Sequence, residues 1–269
     1  MKEKDPLDQL VSIILAKPKY QHIHPDFIRY IGKQELTKRT NLKEVVEATL
    51  RKLHQVGAAY FDCKPDYSTW QAQMKGLSKD IEDPNLKAFC KMVMKCHASS
   101  RERLPILKTF FHETLTKLAP ITSVLDLACG FNPLAIPWMP LDKNATYFAY
   151  DIYSDLIVFI NSFFEHTAVK GKAVTVNIMT DPPQVTAHVT LLLKSLPCLE
   201  QLEKGISRRL LNKINSRHLL VSYPIHSLSG KSKGMRNNYT RQLHELIKNK
   251  PWEVERFDFP SELAFLIHK

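Results

Sequence analysis

The chain has 269 residues, a hydrophobic fraction of 44%, a charged fraction of 24% and a formal net charge of +11. This length exceeds that of a usual single domain and predicts a full catalytic domain with a smaller appended module. No apolar run approaches the roughly 18 residues of a membrane span, and the first residues do not form a secretory signal, so we expect a cytoplasmic protein without a membrane partner.

The first eighty residues carry helical periodicity without the alternation that is typical of strands. Apolar side chains recur at helical spacing over Leu7–Leu15 and again over Val45–Leu53. Thr40 or Asn41 is a suitable N-cap for the second of these segments. The pattern predicts a helical module over residues 1–80.

Short β-rich segments begin to alternate with helical ones after Pro120. This alternation is typical of a mainly parallel sheet with helices on both faces. The last two β-rich segments are joined without a helix, which predicts an antiparallel hairpin at the end of the sheet. The predicted strands are Ser123–Leu127, Tyr147–Asp151, Val174–Ile178, Val189–Leu193, His218–Ser222, Trp252–Phe257 and Leu263–His268. The predicted helices from residue 81 onward are Asn85–Met94, Leu107–Leu118, Asp155–His166, Leu199–Ile214 and Met235–Lys248.

The turn after the first predicted strand carries a single glycine, Gly130. Ligands of such sheets bind beyond the carboxyl ends of the strands, and glycine lets the backbone approach a ligand closely. The dinucleotide pattern GxGxxG is absent, which disfavours NAD and FAD. S-adenosylmethionine has no pyrophosphate, and its ammonium and sulfonium centres suit an acidic strand end such as Asp126.

The ends of the second and third predicted strands carry further polar side chains. Asp151 follows Gly130 by about twenty residues, where a carboxylate can accept both ribose hydroxyls of an adenosyl cofactor. Either Asn177 or Asp181 could meet the adenine amino group, with Ile178 beside the ring. Asp181 could equally initiate a turn before the two prolines that follow it. The sequence therefore leaves two candidates, Asn177 and Asp181, for the contact with adenine.

The positive charge is concentrated between Ile206 and His244, a segment without Asp or Glu. Basic surfaces attract the phosphate backbone and release counterions on binding, so RNA or DNA becomes the leading partner. The alternative is a solvated basic face. The basic residues of the segment are Arg208, Arg209, Lys213, Arg217, Lys231, Lys233, Arg236 and Arg241.

The five cysteines are odd in number and form no CxxC pair. This argues against a disulfide framework and against a structural zinc site. Cys90, Cys96 and His97 could be considered as metal ligands, but no second pair completes a tetrahedral site. We expect reduced thiols and no metal.

Four sequence blocks in the same order resemble those of the aminoglycoside-resistance 16S rRNA (guanine-N7) methyltransferases. The resemblance spans nearly the whole chain. It implies an α/β, Rossmann-like S-adenosylmethionine-dependent methyltransferase fold over residues 81–269, with an antiparallel last strand, and a helical module over residues 1–80 that docks on the 30S subunit. The blocks are His97–Leu104, Asp126–Pro133, Leu191–Glu200 and Val221–Met235.

The resemblance also implies the reaction and the partner. The target is N7 of the decoding-site guanine of 16S rRNA, the methyl donor is S-adenosyl-L-methionine, and the outcome is resistance to 4,6-disubstituted aminoglycosides. Because N7 already carries a lone pair, we expect no general base among the side chains. Catalysis can come from holding N7 in line with the sulfonium methyl group. We expect the enzyme to be a monomer.

Cofactor contacts follow from the same resemblance. Arg103 would pair its guanidinium group with the methionine carboxylate through a charge-assisted contact. Phe61 could close over the cofactor, with core packing as the alternative. Family members often have Asp where this chain has Asn177, so the cofactor affinity could differ. The implied cofactor-binding residues are Phe61, His97, Ala98, Ser99, Arg103, Ala128, Gly130, Asp151, Asn177, Ile178, Leu193 and Gln201.

The target base must leave its helix to be reached, so binding elsewhere on the rRNA has to offset a cost of a few kcal/mol. We hypothesise that Lys231, Lys233 and Arg236 bind phosphates near the target. Basic residues of the N-terminal module would contact more distant rRNA, for instance Arg51, Lys64 and Lys75.

Two other functions stay open at this point. One is an RNA cytosine-C5 methyltransferase, because those enzymes use a Pro-Cys thiolate and Cys198 follows Pro197 after the fourth predicted strand. However, the acidic residue that precedes this motif is missing, and the thiol could simply pack as a small apolar group. The other is a non-catalytic rRNA-binding or assembly factor on a degenerate methyltransferase fold. The polar residues Arg103, Asp126 and Asp151 are present, which argues against a degenerate fold without activity.

Overall fold

The computed structural model describes residues 5–57, 60–61, 63–225 and 234–269. Its first half is helical, as the periodicity predicted. Asn41 caps α3 by accepting a hydrogen bond from the backbone amide of Lys43, which confirms one of the two predicted caps. The helices of this half are α1 (Pro6–Leu15), α2 (Pro25–Leu36), α3 (Leu42–Val56), α4 (Tyr67–Lys75), α5 (Pro84–Met94), α6 (Ala98–Arg103) and α7 (Leu107–Leu115).

The second half forms a seven-stranded sheet with helices between its strands. The strands are β1 (Ile121–Leu127), β2 (Leu141–Asp151), β3 (Gly171–Thr175), β4 (Ala187–Leu193), β5 (Ser216–Pro224), β6 (Glu253–Asp258) and β7 (Glu262–His268). The helices are α8 (Ser154–Thr167), α9 (Leu196–Leu202), α10 (Ile206–Lys213) and α11 (Met235–Ile247). The order is β3-β2-β1-β4-β5-β7-β6, parallel from β3 to β5 and antiparallel at β7 and β6. The predicted terminal hairpin is confirmed.

Several predicted elements were wrong in their bounds. The second strand begins at Leu141, six residues before the predicted start, and the helix predicted over Leu107–Leu118 ends at Leu115. The third strand begins at Gly171 and ends at Thr175, three residues earlier than predicted, and it pairs in parallel with Tyr147–Asp151 of β2. Gly171 packs so closely on Phe164 that an added Cβ would come within 2.5 Å of its ring. The predicted helix Leu199–Ile214 is two helices, α9 and α10. They are separated at Gly205, whose φ of 85° lies in the left-handed region that interrupts a helix.

Helices cover both faces of the sheet. Helices α4, α5, α7 and α8 pack on one face in a core that includes Phe110 and Phe159. Helices α1 to α3 and α9 to α11 pack on the other face, against residues such as Leu125 and Leu192. The N-terminal helices therefore share a core with the sheet, and a module boundary at residue 80 stays a prediction. Within the described ranges, no helix is both long and apolar enough to cross a membrane.

Candidate cofactor and methyl-transfer site

A cavity lies at the carboxyl ends of β1, β2 and β4. Because β1 lies between β2 and β4 in the sheet, the side chains that follow these three strands meet at one edge. Most of the predicted cofactor-binding residues line this cavity. They are Phe61, His97, Ser99, Ala128, Gly130, Asp151, Asn177, Ile178 and Leu193.

The turn after β1 is shaped by two residues with left-handed backbones, Ala128 with φ of 53° and Gly130 with φ of 48°. This region of φ favours glycine, because other residues place a Cβ against the backbone. A Cβ added to Gly130 would meet no atom of the described residues within 4 Å, so open space adjoins the turn. The backbone amide of Gly130 donates a hydrogen bond of 2.9 Å to Oδ2 of Asp151, which fixes the turn to the end of β2.

Asp151 presents a buried carboxylate at the cavity. Its Oδ1 accepts hydrogen bonds from the backbone amides of Ile152 at 2.7 Å and Tyr153 at 3.4 Å. Burial raises the pKa of Asp151, and the backbone amides that donate to it act in the opposite direction. Backbone amides hold the carboxylate in one orientation, so it can accept hydrogen bonds from the two hydroxyls of a ribose.

Asn177, and not Asp181, lies at the cavity. The Asn177 side chain accepts a hydrogen bond from the amide of Met179 at 3.1 Å and donates to the carbonyl of Asp26 at 3.4 Å. Asp181 is exposed and does not line the cavity. Asn177 thus shapes the turn that presents Ile178, and an adenine contact by Asn177 stays a prediction.

An aromatic wall closes another side of the cavity. Phe61 and His97 are paired by an antiparallel bridge, and their ring centroids lie 5.0 Å apart. Next to this bridge, Cys63 and Cys96 form a disulfide. The expectation of reduced thiols was therefore wrong for this pair, which is separated by 33 residues and has no sequence signature. The free cysteines in the described part of the chain are Cys90, Cys129 and Cys198.

Arg103 lies one layer behind the cavity wall. Its Nε and Nη2 donate to the two carboxylate oxygens of Glu262 at 2.9 and 2.6 Å, and both side chains are 0% exposed. Its Nη1 donates to Oδ1 of Asn132 at 2.9 Å, and Asn132 lines the cavity. Arg103 itself does not line the cavity, so its predicted pairing with a methionine carboxylate stays a prediction, and the visible role of its guanidinium is to position Asn132.

Asp126 is also behind the wall, which corrects the expectation that its carboxylate faces the cofactor. It accepts hydrogen bonds from the hydroxyl of Tyr147 at 2.7 Å and from Nδ2 of Asn132 at 3.3 Å. Burial raises the pKa of Asp126 to about 7. Ala98 and Gln201 likewise do not line the cavity: Ala98 is buried between two residues that do, His97 and Ser99, and Gln201 is exposed on α9.

Lys194 is a cavity residue that the sequence analysis missed. Its Nζ donates to the carbonyl of Ser99 at 3.2 Å and to Glu102 at 2.8 Å, and it lies 3.5 Å from Glu262. The signal that could have identified it is a lysine placed directly after a wholly apolar strand. Other cavity residues that were missed include Phe27, Tyr60, Phe131, Asn132, Tyr153, Met179 and Ser195.

Cys198 lines the cavity as a thiol. Its Sγ lies 3.0 Å from the hydroxyl of Tyr60, whose ring stacks on that of His97 with the centroids 5.8 Å apart. Burial raises the pKa of Cys198, whereas nucleophilic cysteines need a lowered pKa so that the thiolate forms. This environment disfavours a cytosine-C5 mechanism through Cys198.

The predicted RNA-binding residues are dispersed. Arg51, Lys64 and Lys75 are exposed. Arg236 is half-buried, forms an ion pair of 2.6 Å with Asp258 and donates to the carbonyl of Phe259. Two further predicted residues, Lys231 and Lys233, lie outside the described residues. Contact of any of these side chains with rRNA stays a prediction.

The sheet order, the antiparallel end and the cavity at the ends of β1 and β2 define the class of Rossmann-like methyltransferases. Among the described residues, no group of three or more His, Cys, Asp or Glu side chains is arranged to hold a metal ion. The buried carboxylate at the end of β2 and the open turn after β1 fit an adenosyl cofactor.

The comparisons identify the family. The model of the ribosomal RNA methyltransferase family FmrO matches residues 16–266, and the chain belongs to that family. It is 31% identical over 268 residues to the 16S rRNA (guanine(1405)-N(7))-methyltransferase of Micromonospora echinospora, covering 99% of this chain and 98% of that protein. It is similar to the solved structure of the 16S rRNA methylase RmtB, with 26% identity, a TM-score of 0.81 and 98% of each chain covered. Its fold also matches that of the 16S rRNA methyltransferase RmtF in complex with S-adenosyl-L-homocysteine, with 24% identity, a TM-score of 0.83 and 99% of each chain covered.

Proposed function

We propose that this protein methylates N7 of guanine 1405 of 16S rRNA, which is the activity named for its relative in Micromonospora echinospora. The observation that carries the proposal is the cavity in which Asp151 and Gly130 meet at the ends of two adjacent strands, in a chain that matches this relative over nearly its full length. The methyl donor is S-adenosyl-L-methionine, which supplies an electrophilic methyl group.

Different residues of the cavity bind different parts of this methyl donor. Asp151 accepts the ribose hydroxyls, and Ile178 packs beside the adenine ring. The open turn at Gly130 receives the methionine portion, close to Asn132. Leu193 supplies an apolar surface at the end of β4, which helps to exclude water.

The chain needs to contribute little proton-transfer chemistry. Guanine N7 is an acceptor on the major-groove edge with a free lone pair, so no proton has to be removed before methyl transfer. Holding N7 in line with the methyl group can lower the barrier by up to roughly 7 to 11 kcal/mol. The rigid hydrogen bonds that hold the turn after β1 serve this positioning.

The substrate is the 30S subunit, and we place the reaction in the cytoplasm with a monomeric enzyme. Extrusion of the target base has to be offset by contacts elsewhere on the rRNA. Exposed Arg51 on α3, Lys64 before α4 and Lys75 at the end of α4 supply such contacts. The basic segment that includes Arg236 supplies further contacts, to phosphates close to the target base. The affinity for 30S subunits should therefore fall steeply with salt concentration.

The test is incubation of purified protein with 30S subunits and S-adenosylmethionine, followed by borohydride reduction, aniline cleavage and primer extension. Scission at guanine 1405 is expected, because only N7 methylation makes this nucleotide labile. The control is the Asp151→Asn protein, which loses the charge and has an amide nitrogen in place of one of the two oxygens that accept from the backbone amides of Gly130 and Ile152. Scission at another nucleotide, or none with the unaltered protein, contradicts the proposal. Cells that make the protein should also resist 4,6-disubstituted aminoglycosides.

A further inference from the structure

Ser195 has a buried hydroxyl group without a hydrogen-bond partner. The residue is 8% exposed, it lines the cavity, and its Oγ contacts no donor or acceptor among the described residues. Buried hydroxyl groups in folded proteins are nearly always paired, because losing the hydrogen bonds of water without replacement is costly. An unpaired hydroxyl in a ligand cavity indicates that the ligand supplies the partner.

The position of Ser195 in its helix makes the missing hydrogen bond more informative. It is the N-cap residue of α9, where serine normally accepts a hydrogen bond from an amide of the first turn. Its side chain makes no such bond. Its backbone carbonyl accepts from the amides of Cys198 and Leu199 at 3.0 and 3.1 Å. As far as the structure describes the chain, the hydroxyl is therefore available to another partner.

Several contacts fix the backbone conformation of Lys194, the residue before Ser195. Lys194 has a left-handed φ of 59°, which is costly for a residue other than glycine. Its amide donates to the carbonyl and to Oγ of Ser222 on β5, at 3.0 and 3.1 Å, and its Nζ is held by Glu102. This conformation persists because its neighbours determine it, and it turns the next residue toward the cavity.

The strand order separates Ser195 from the groups that hold the ribose and methionine portions of the donor. Asp151 and Gly130 follow β2 and β1, whereas Ser195 follows β4, on the opposite side of β1 and two residues beyond the apolar Leu193. One helical turn beyond Ser195, Cys198 contacts Tyr60, whose ring stacks on that of His97. An extruded base is commonly recognised by aromatic surfaces together with hydrogen bonds to its edge. This end of the cavity offers both.

We propose that Ser195 binds the target guanine by donating its hydroxyl hydrogen to O6, an inference that rests on the proposed function. The edge of guanine that carries N7 has two acceptors, N7 and O6. N7 must keep its lone pair for the methyl group, so O6 is the atom of this edge that a positioning residue can hold. A hydrogen bond to O6 fixes the adjacent N7 relative to the donor.

The first measurement is the single-turnover rate of Ser195→Ala on 30S subunits at saturating S-adenosylmethionine. We expect a loss of about tenfold, with the Kd for the cofactor and the melting temperature unchanged. The matched control is Ser207→Ala on α10, because Oγ of Ser207 is also buried and unpaired but lies outside the cavity. Its rate should equal that of the unaltered protein. An equal loss in both variants, or a raised cofactor Kd with an unchanged rate in Ser195→Ala, overturns the inference.

The second measurement removes the atom on the RNA. Reconstituted 30S subunits carry 2-aminopurine, which lacks O6 but keeps N7, at the target nucleotide. The unaltered protein should lose about tenfold in rate on this substrate, whereas Ser195→Ala should lose no more than about twofold. An equal penalty in both proteins overturns the assignment of Ser195 to O6. Absence of N7 methylation of the natural guanine by the unaltered protein would instead overturn the proposed function, and the inference with it.

Discussion

The buried ion pair of Arg103 and Glu262 makes a quantitative prediction about stability. Both side chains are 0% exposed, and Nζ of Lys194 lies 3.5 Å from the same carboxylate. Burial opposes ionisation of Glu262, but the two cations outweigh it and keep the pKa of Glu262 below its usual range. The Glu262→Gln substitution leaves the buried Arg103 guanidinium without its anion, whereas Lys194 keeps Glu102 at 2.8 Å. Breaking a buried pair in this way costs about 3–5 kcal/mol.

Urea unfolding followed by circular dichroism measures this loss. With an m value of about 3 kcal/mol/M, the midpoint of Glu262→Gln should fall by about 1 to 1.7 M. The control is the double variant Arg103→Met with Glu262→Leu, which removes both charges of the pair and should lose less, because no isolated charge of that pair remains. A midpoint shift below about 0.3 M in the single variant, or a double variant less stable than the single one, would refute this reasoning.

Three further outcomes are expected. Asp151→Asn should raise the Kd for S-adenosylmethionine by about 10-fold or more in calorimetry, because a neutral amide accepts the ribose hydroxyls less strongly; an unchanged Kd contradicts the site. The folded protein holds a proton on Asp126 up to about pH 7, whereas the unfolded chain releases it near 3.8, so the stability that this residue contributes is lost as the pH rises through that window. The stability difference between the unaltered protein and Asp126→Asn should therefore change between pH 4 and about 7, and a flat difference argues against the raised pKa. In the absence of reductant, the free energy of unfolding of Cys63→Ser should be about 3–4 kcal/mol lower than that of the unaltered protein, because a loop of 33 residues is no longer closed. Adding a dithiol to the unaltered protein should cause the same loss. Insensitivity to the dithiol would show that the Cys63–Cys96 bond does not form.

Much of the architecture could be predicted because its signals are local. The alternation of strands and helices follows from the period of apolar side chains, and the missing helix before the last strand predicted the antiparallel hairpin. Gly130 and Asp151 could be identified because ligands of these sheets bind at strand ends. The bounds of β3 were missed because they coincide with its pairing to Tyr147–Asp151 of β2, which the residues of β3 alone do not indicate.

The parts that escaped prediction depend on long-range pairing. Arg103 and Glu262 are separated by 159 residues, and nothing near either residue indicates its partner. The orientation of Asp126 away from the cavity follows from the hydrogen bond of Tyr147, which a strand pattern does not reveal. Gln201 was assigned to the pocket by resemblance, but it is exposed on α9, whereas Leu199 and Leu202 of the same helix line the cavity.

The two strands that flank the methyl-transfer site end in the same uncommon way, with Ala128 after β1 and Lys194 after β4 both in the left-handed region at φ of 53° and 59°. Such residues persist only where their surroundings determine them. Ser222 of β5 holds the backbone of Lys194, and Asp151 at the end of β2 holds that of Gly130, so the neighbouring strands β5 and β2 fix both turns. The site therefore owes its rigidity to the sheet and not to its loops. A reaction that depends on placing one lone pair in line with one methyl group benefits most from this rigidity, because misplacement by about 1 Å can cost about a hundredfold in rate.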